Sequence, residues 1–226
     1  MNSLQPPWAE IDTVLLDMDG TLLDLHFDTH FWLEHVPVRY AEANSMPLEL
    51  AREQLMKRYR KAEGTLEWYC VDYWSDQLKL DIEILKQEVD HLISVRPDVI
   101  SFLHALADAG KHRILVTNAH GKSLSLKMKK TPIGGYLDEI ITAHDIGLPK
   151  EHSNFWEKLQ HRQPFSPANT LLIDDSINVL NSAEKYGIRH LRAILQPNSK
   201  LDPDPHDRYI HIDRFAEIMP KANQQE

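Results

Sequence analysis

The first apolar run of the chain is short and ends abruptly: Thr13-Val-Leu-Leu16 gives way to Asp17-Met-Asp19-Gly-Thr21. A continuous apolar run of that length, bounded by polar residues, predicts a strand buried on both faces. From residue 24 to about 96 the period changes. Aromatic and aliphatic residues recur every three or four positions over 31–43, 48–59, 67–78 and 84–93, which predicts helices with no strand between them. Pro97-Asp98 then opens a helix over 99–109, closed by Gly110.

Beyond that helix, strands and helices alternate. Strands are predicted at 114–117, 139–142, 170–173, 190–195 and 208–212, and helices at 123–130, 155–160 and 178–186, the last stopped at Gly187. Continuously apolar strands alternating with helices imply a parallel sheet covered on both faces. The expected fold is therefore α/β, a Rossmann-like doubly wound parallel sheet with an all-helical domain inserted after its first strand. The core is expected to span 1–23 and 97–220, the helical cap 24–96, and a frayed polar tail 221–226.

Composition narrows the function. A chain of 226 residues holds one good core with room for a smaller inserted domain. A formal charge of −9 argues against a nucleic-acid polymer, whose phosphates demand clustered Lys and Arg. The densest basic run, Lys127-Met-Lys129-Lys130, reads as a solvated helix end. A small anionic substrate needs a local cation to overcome the acidic background. No apolar run approaches the roughly 18 residues that span a membrane. The first residues have no signal-peptide pattern, and the single Cys70 leaves no internal disulfide, so the cytoplasm is the expected location.

Open parallel sheets bind ligands at the carboxyl ends of their strands. Polar residues gather there in this chain: Asp17 and Asp19 after the first strand, Thr117 and Asn118 after the second, Lys150 after the third, Asp174 and Asp175 after the fourth. Taken singly, each has an ordinary explanation as a turn, a helix cap or a solvated charge. Their recurrence at successive strand ends predicts one shared site. Four acids on one rim must be protonated or matched by a divalent cation, and hard oxygen ligands suit Mg²⁺. So neutralised, Asp17 can attack phosphorus as a nucleophile, with Asp19 as general acid and then base. The Thr117 hydroxyl can hold a phosphoryl oxygen, and Lys150 can offset the charge of nucleophile and phosphate.

Asp17-Met-Asp19-Gly-Thr, Thr117-Asn118, Lys150 and Asp174-Asp175, in that order, resemble the four motifs of the haloacid dehalogenase superfamily. The stretches 16–25, Trp68-Tyr-Cys-Val-Asp-Tyr-Trp74 and Gly147-Leu-Pro-Lys-Glu151 resemble its bacterial GMP/IMP 5′-nucleotidase subgroup. The resemblance implies Asp17 as nucleophile and metal ligand, and Asp19 as acid/base with its carbonyl on Mg²⁺. It further implies Thr117, Asn118 and Lys150 on the phosphate, with Asp175 and Asp174 completing the metal site. A purine mononucleotide substrate follows from the resemblance alone. Pro149 precedes Lys150, whereas many relatives carry the reverse order.

Other readings compete. A dehalogenase proper needs no metal and no second acid at Asp19. A sugar-phosphate phosphatase or a β-phosphoglucomutase-like phosphotransferase shares every core residue. A phosphonate hydrolase needs a Schiff-base lysine, for which Lys57 and Lys61 qualify by type only. A receiver-like phospho-acceptor carries its acidic pair before the phosphorylated Asp and lacks a helical insert; a silent binding protein has no use for Asp19. The aromatics of 27–74 are expected mainly in packing, and residues 25–30 at the substrate. His26 and His30 have zinc-like i, i+4 spacing but no evident third ligand, so no zinc site is expected. His120 is placed equally well in the pocket or on the surface.

Overall fold

The computed structural model describes residues 3–220, so the expected tail 221–226 lies outside the described residues. Six strands form one sheet: β1 (Thr13–Leu16), β2 (His112–Thr117), β3 (Glu139–Thr142), β4 (Thr170–Asp174), β5 (His190–Ile194) and β6 (His211–Ile212). The order is β3-β2-β1-β4-β5-β6 and every pairing is parallel. The strand order turns outward in both directions from β1, which makes the carboxyl end of β1 the switch point where such sheets open a crevice.

Helices follow in chain order. Between β1 and β2 lie α1 (His26–His30), α2 (Val36–Ala43), α3 (Leu48–Ala62), α4 (Val71–Leu78), α5 (Ile82–Glu88) and α6 (Val99–Asp108). Then come α7 (Gly121–Lys130) after β2, α8 (Ala143–Ile146) and α9 (Phe155–Arg162) after β3, and α10 (Ile177–Tyr186) after β4. Strand β1 is buried along its whole length and splits its side chains between two cores. Val14 and Leu16 join Phe102, Leu106 and Phe215 on one face, and Leu15 joins Trp156, Leu159 and Leu180 on the other. Residues 27–92 build a third core around Phe27, Phe31, Tyr59 and Trp74.

The helical expectations hold in kind and shift at their ends. The helix expected over 31–43 already begins at His26 and passes through a wider π-turn at Phe31–His35 before α2. The one expected over 67–78 is broken at Cys70, which takes an extended backbone between a 3₁₀ turn (Leu66–Tyr69) and α4. Its sulfur accepts the Tyr73 N–H and so caps α4, a cap that periodicity alone does not reveal. The helix expected over 84–93 ends at Glu88, with a 3₁₀ turn at Asp90–Leu92. Helix α8 was missed, although Thr142 and Asp145 form a reciprocal capping box at its start. The last strand shrinks from the expected 208–212 to His211–Ile212.

Candidate active site

Backbone pairing brings two strand ends level. Asp17 N–H donates to the Ile173 carbonyl at 3.0 Å, so the end of β1 sits beside the end of β4. The chain then turns sharply, with Leu22 and Leu23 N–H both returning to the Met18 carbonyl. Gly20 has φ +89°, and a Cβ there would collide with the Asp175 carboxylate. The Asp-x-Asp-Gly run therefore needs its glycine for two reasons: a left-handed backbone and room for the acid arriving from β4.

At the centre lies Lys150, 2% exposed. Its ammonium donates to Asp17 Oδ1 at 2.5 Å, Asp174 Oδ2 at 2.7 Å and the Val116 carbonyl at 3.1 Å. The Lys150 N–H in turn donates to Asn118 Oδ1 at 2.9 Å. Pro149 ahead of the lysine therefore does not displace its charge from the rim. One oxygen each from Asp17, Asp174 and Asp175 lie within 4.8 Å of one another. The second oxygen of Asp17 is buried with no hydrogen-bond partner. Burial, with Asp174 adding like charge, pushes Asp17 up from the usual 3.8 to about 6, although Lys150 pulls the other way. Burial likewise raises Asp174, and burial plus Asp17 raises Asp175 well above its usual range. Burial opposes the charge on Lys150, yet Asp17 and Asp174 hold its pKa above the ordinary lysine value. Three converging carboxylates, one with an unpartnered oxygen, against one ammonium make a donor set that fits a hard divalent cation.

Asp19 stands on a second network. Its Oδ1 accepts from Lys127 Nζ at 2.6 Å, and the same ammonium reaches Asp28 Oδ2 at 2.5 Å. Asp28 Oδ1 then accepts from Lys86 Nζ at 3.0 Å. Burial raises Asp19 to about 6 against the pull of Lys127, with Asp28 and Asp17 adding to the rise. Asp28 is held at about 2 because Lys127 and Lys86 together outweigh its burial. This corrects the reading of 127–130 as a solvated helix end: Lys127 is 1% exposed. A signal was present, because Lys127 sits four residues after Ser123 and three after Leu124, on the inward face of α7. A basic run conceals such a residue, since composition does not say which of three lysines faces in.

The remaining expected residues are also at the rim. Thr117 is buried at the end of β2, and its hydroxyl accepts the Ala119 N–H at 3.0 Å. Asn118 spends its side chain on the protein: the amide nitrogen donates to Glu151 Oε2 at 3.0 Å while its oxygen holds Lys150. Glu151 also accepts from the Tyr69 hydroxyl at 2.5 Å, tying the segment before α4 to the loop that carries Lys150. Lys86 was not singled out by the sequence, and Asp28, Tyr69 and Glu151 appeared only within the stretches 25–30, 68–74 and 147–151, without roles of their own.

Above the acids lies a cavity of about 380 Å³, walled by Leu25, Thr29, Trp32, Tyr59, Trp68 and Tyr69. His120 lines it too. A larger open cleft of about 700 Å³ between Trp68, Tyr69 and α10 contains none of the strand-end acids. The aromatics divide as packing and cavity wall: Trp74, Phe27 and Phe31 are buried, while Trp32 and Trp68 do both. His26 and His30 have ring centroids 6.0 Å apart and belong to no three-residue ligand cluster among the described residues.

Comparison with known proteins agrees with this geometry. Residues 14–193 match the haloacid dehalogenase-like hydrolase family, and the chain belongs to it. It is an enzyme, a hydrolase built on that fold. Among particular relatives, it is 38% identical over 213 residues to the GMP/IMP nucleotidase YrfG of Escherichia coli (strain K12), covering 94% of this chain and 96% of that one. The solved haloacid dehalogenase (HAD) phosphatase from Thermococcus onnurineus superposes with a TM-score of 0.76 at 23% identity, covering 92% and 95% of the two chains. The putative HAD-hydrolase YfnB from Bacillus subtilis, solved bound to magnesium, gives 0.62 at 19% identity, covering 92% and 96%. These two structures speak to the fold.

Proposed function

We propose that the chain is a Mg²⁺-dependent phosphomonoesterase that works through an aspartyl phosphate and hydrolyses purine 5′-mononucleotides. The observation that carries this reading is Asp17, whose one oxygen is anchored by Lys150 while the other is buried and unpartnered. Asp17, Asp174 and Asp175 are the residues that would hold the cation, joined by the Asp19 carbonyl. Bound there, Mg²⁺ would keep these acids ionised and neutralise the phosphate's charge.

The residues then divide the work. The Asp17 carboxylate attacks phosphorus, and the bond from phosphorus to the ester oxygen breaks. Asp19, raised to about 6 and 20% exposed, gives that oxygen its proton. In the second step Asp19 takes a proton from water, the water attacks the aspartyl phosphate, and Asp17 is released as carboxylate. The Lys150 ammonium compensates charge in both steps. The Thr117 hydroxyl and nearby backbone N–H groups hold phosphoryl oxygens, while the Asn118 side chain holds the Lys150 loop. Residues 24–96 act as a cap over a core of 1–23 and 97–220, excluding water from the cavity. The purine assignment rests on the relative named GMP/IMP nucleotidase and on aromatic walls suited to a flat base.

The test is phosphate release from GMP, IMP, AMP and sugar phosphates, with Mg²⁺ and with chelator. Release from the 6-oxopurine nucleotides that is abolished by chelator and in Asp17→Asn is expected. No release from any substrate, or full activity in Asp17→Asn, overturns the mechanism. Isomerisation of a sugar phosphate without phosphate release converts the reading to a mutase.

A further inference from the structure

A second ligand cluster lies apart from the acids. One ligand atom each from Cys70, His120 and His144 fall within 4.8 Å of one another, and all three residues are half-buried. They come from separate parts of the chain. Cys70 sits in the segment between α3 and α4, His120 caps α7 beyond β2, and His144 lies in the first turn of α8 beyond β3. We propose that these three residues form a site for a thiolate-accepting divalent cation of the Zn²⁺ type, which fastens residues 24–96 to the sheet-bearing core beside the catalytic cavity.

His144 supplies the strongest argument. Its Nε2 is buried and has no hydrogen-bond partner, an expensive arrangement for a ring nitrogen. In the neutral ring one nitrogen carries a lone pair, and a cation at Nε2 would supply the partner that this buried atom lacks. The Cys70 sulfur already acts as an acceptor, taking the Tyr73 N–H at 3.4 Å.

The rings of His120 and His144 meet edge to face, with centroids 4.8 Å apart. Asp72 stands outside the cluster, its Oδ2 3.8 Å from His120 Nε2 and its Oδ1 paired with Lys122 at 2.8 Å, so the fourth position is left to water. A tetrahedral zinc site holds N and S ligands about 3.3–3.6 Å apart, given bonds of about 2.0–2.3 Å. His120 Nδ1 accepts the Lys122 N–H at 3.4 Å, so ligation through Nε2 would leave that cap in place. Soft sulfur and imidazole donors select against Mg²⁺, so the two sites separate by metal chemistry.

The experiment is titration of the metal-free full chain with Co²⁺ in excess Mg²⁺, read by absorption. One equivalent is expected to produce a thiolate-to-cobalt charge-transfer band with the visible bands of four-coordination, both erased by Zn²⁺. Cys70→Ser is expected to lose the charge-transfer band, and His144→Gln to weaken cobalt binding at least tenfold. Asp17→Asn is expected to leave the band intact, which separates this site from the acidic rim and from the proposed function. Far-UV circular dichroism checks folding of each variant, and Cys70→Ala provides a second cysteine variant. Absence of the band in the unaltered chain overturns the proposal. So does a band that survives His120→Gln and His144→Gln combined, or one lost in Asp17→Asn.

Discussion

Two buried lysines hold the site together, and they do so from opposite sides. Lys150 rises from the loop beyond β3 and bridges Asp17 and Asp174, so all three residues belong to the sheet-bearing core. Lys127 rises from α7 and bridges Asp19 to Asp28, and Asp28 leads on to Lys86 on α5, outside that core. The charge of Asp17 is thus balanced within the core. That of Asp19 is balanced by a relay that runs into the helical insert. Under the proposed function, the nucleophile is framed by the core alone and the acid/base by core and insert together.

The comparison is broken most severely at Asp17. Asp17→Asn removes the proposed nucleophile, and kcat is expected to fall at least about 10³-fold while far-UV circular dichroism stays unchanged. Next comes Lys150→Met, which leaves Asp17 and Asp174 buried without their cation. Stripping one partner from a buried pair costs about 3–5 kcal/mol, so both activity and the denaturant midpoint are expected to fall, the latter partly restored by Mg²⁺. Lys127→Met strikes the other network. Because Lys127 is what lowers Asp19, its loss lets the Asp19 pKa rise further. The alkaline limb of kcat/KM is expected to move to higher pH in this variant, with a smaller loss of kcat than in Asp17→Asn. An unmoved limb would separate Asp19 from the acid/base role.

The smallest effect is on stability against pH, and its sign differs between the two networks. Asp17 and Asp19 bind protons more tightly in the folded chain, about 6 against the usual 3.8. Their contribution is most favourable below 3.8 and is lost as pH rises toward about 6 in the metal-free protein. Asp28, held at about 2, contributes above 3.8 and loses that contribution as pH falls toward 2. Mg²⁺ is therefore expected to raise Tm more at pH 7.5 than at pH 5, each kcal/mol appearing as about 2–4 °C. Equal shifts at the two pH values would contradict the raised pKa of the rim acids.

Much of the core was legible because its signals are local. A buried parallel strand is a continuous apolar run, and 13–16, 139–142 and 170–173 each match the observed strands within one residue. The acids that follow β1 and β4 are read directly from the chain, since a strand end fixes where its next residue points. The insert gave up its helices but not their breaks. Cys70 interrupts one of them because it caps α4 with a sulfur, an unusual acceptor that no periodicity announces. Lys127 was misjudged for a related reason: its neighbours Lys129 and Lys130 are solvent-facing, and a helix turns roughly 100° per residue.

The sequence by itself determined the parallel sheet, the helical insertion after β1, and the convergence of Asp17, Asp19, Thr117, Lys150, Asp174 and Asp175 on one rim. Those follow from short-range order, since each strand delivers its own polar terminus. Only the tertiary structure decided which charges compensate which. Lys150 and Asp17 are 133 positions apart, and Lys127 and Asp19 are 108 apart. Burying such charges is tolerable only in matched sets, and the matching partners lie on elements whose adjacency is set by packing rather than by any local pattern.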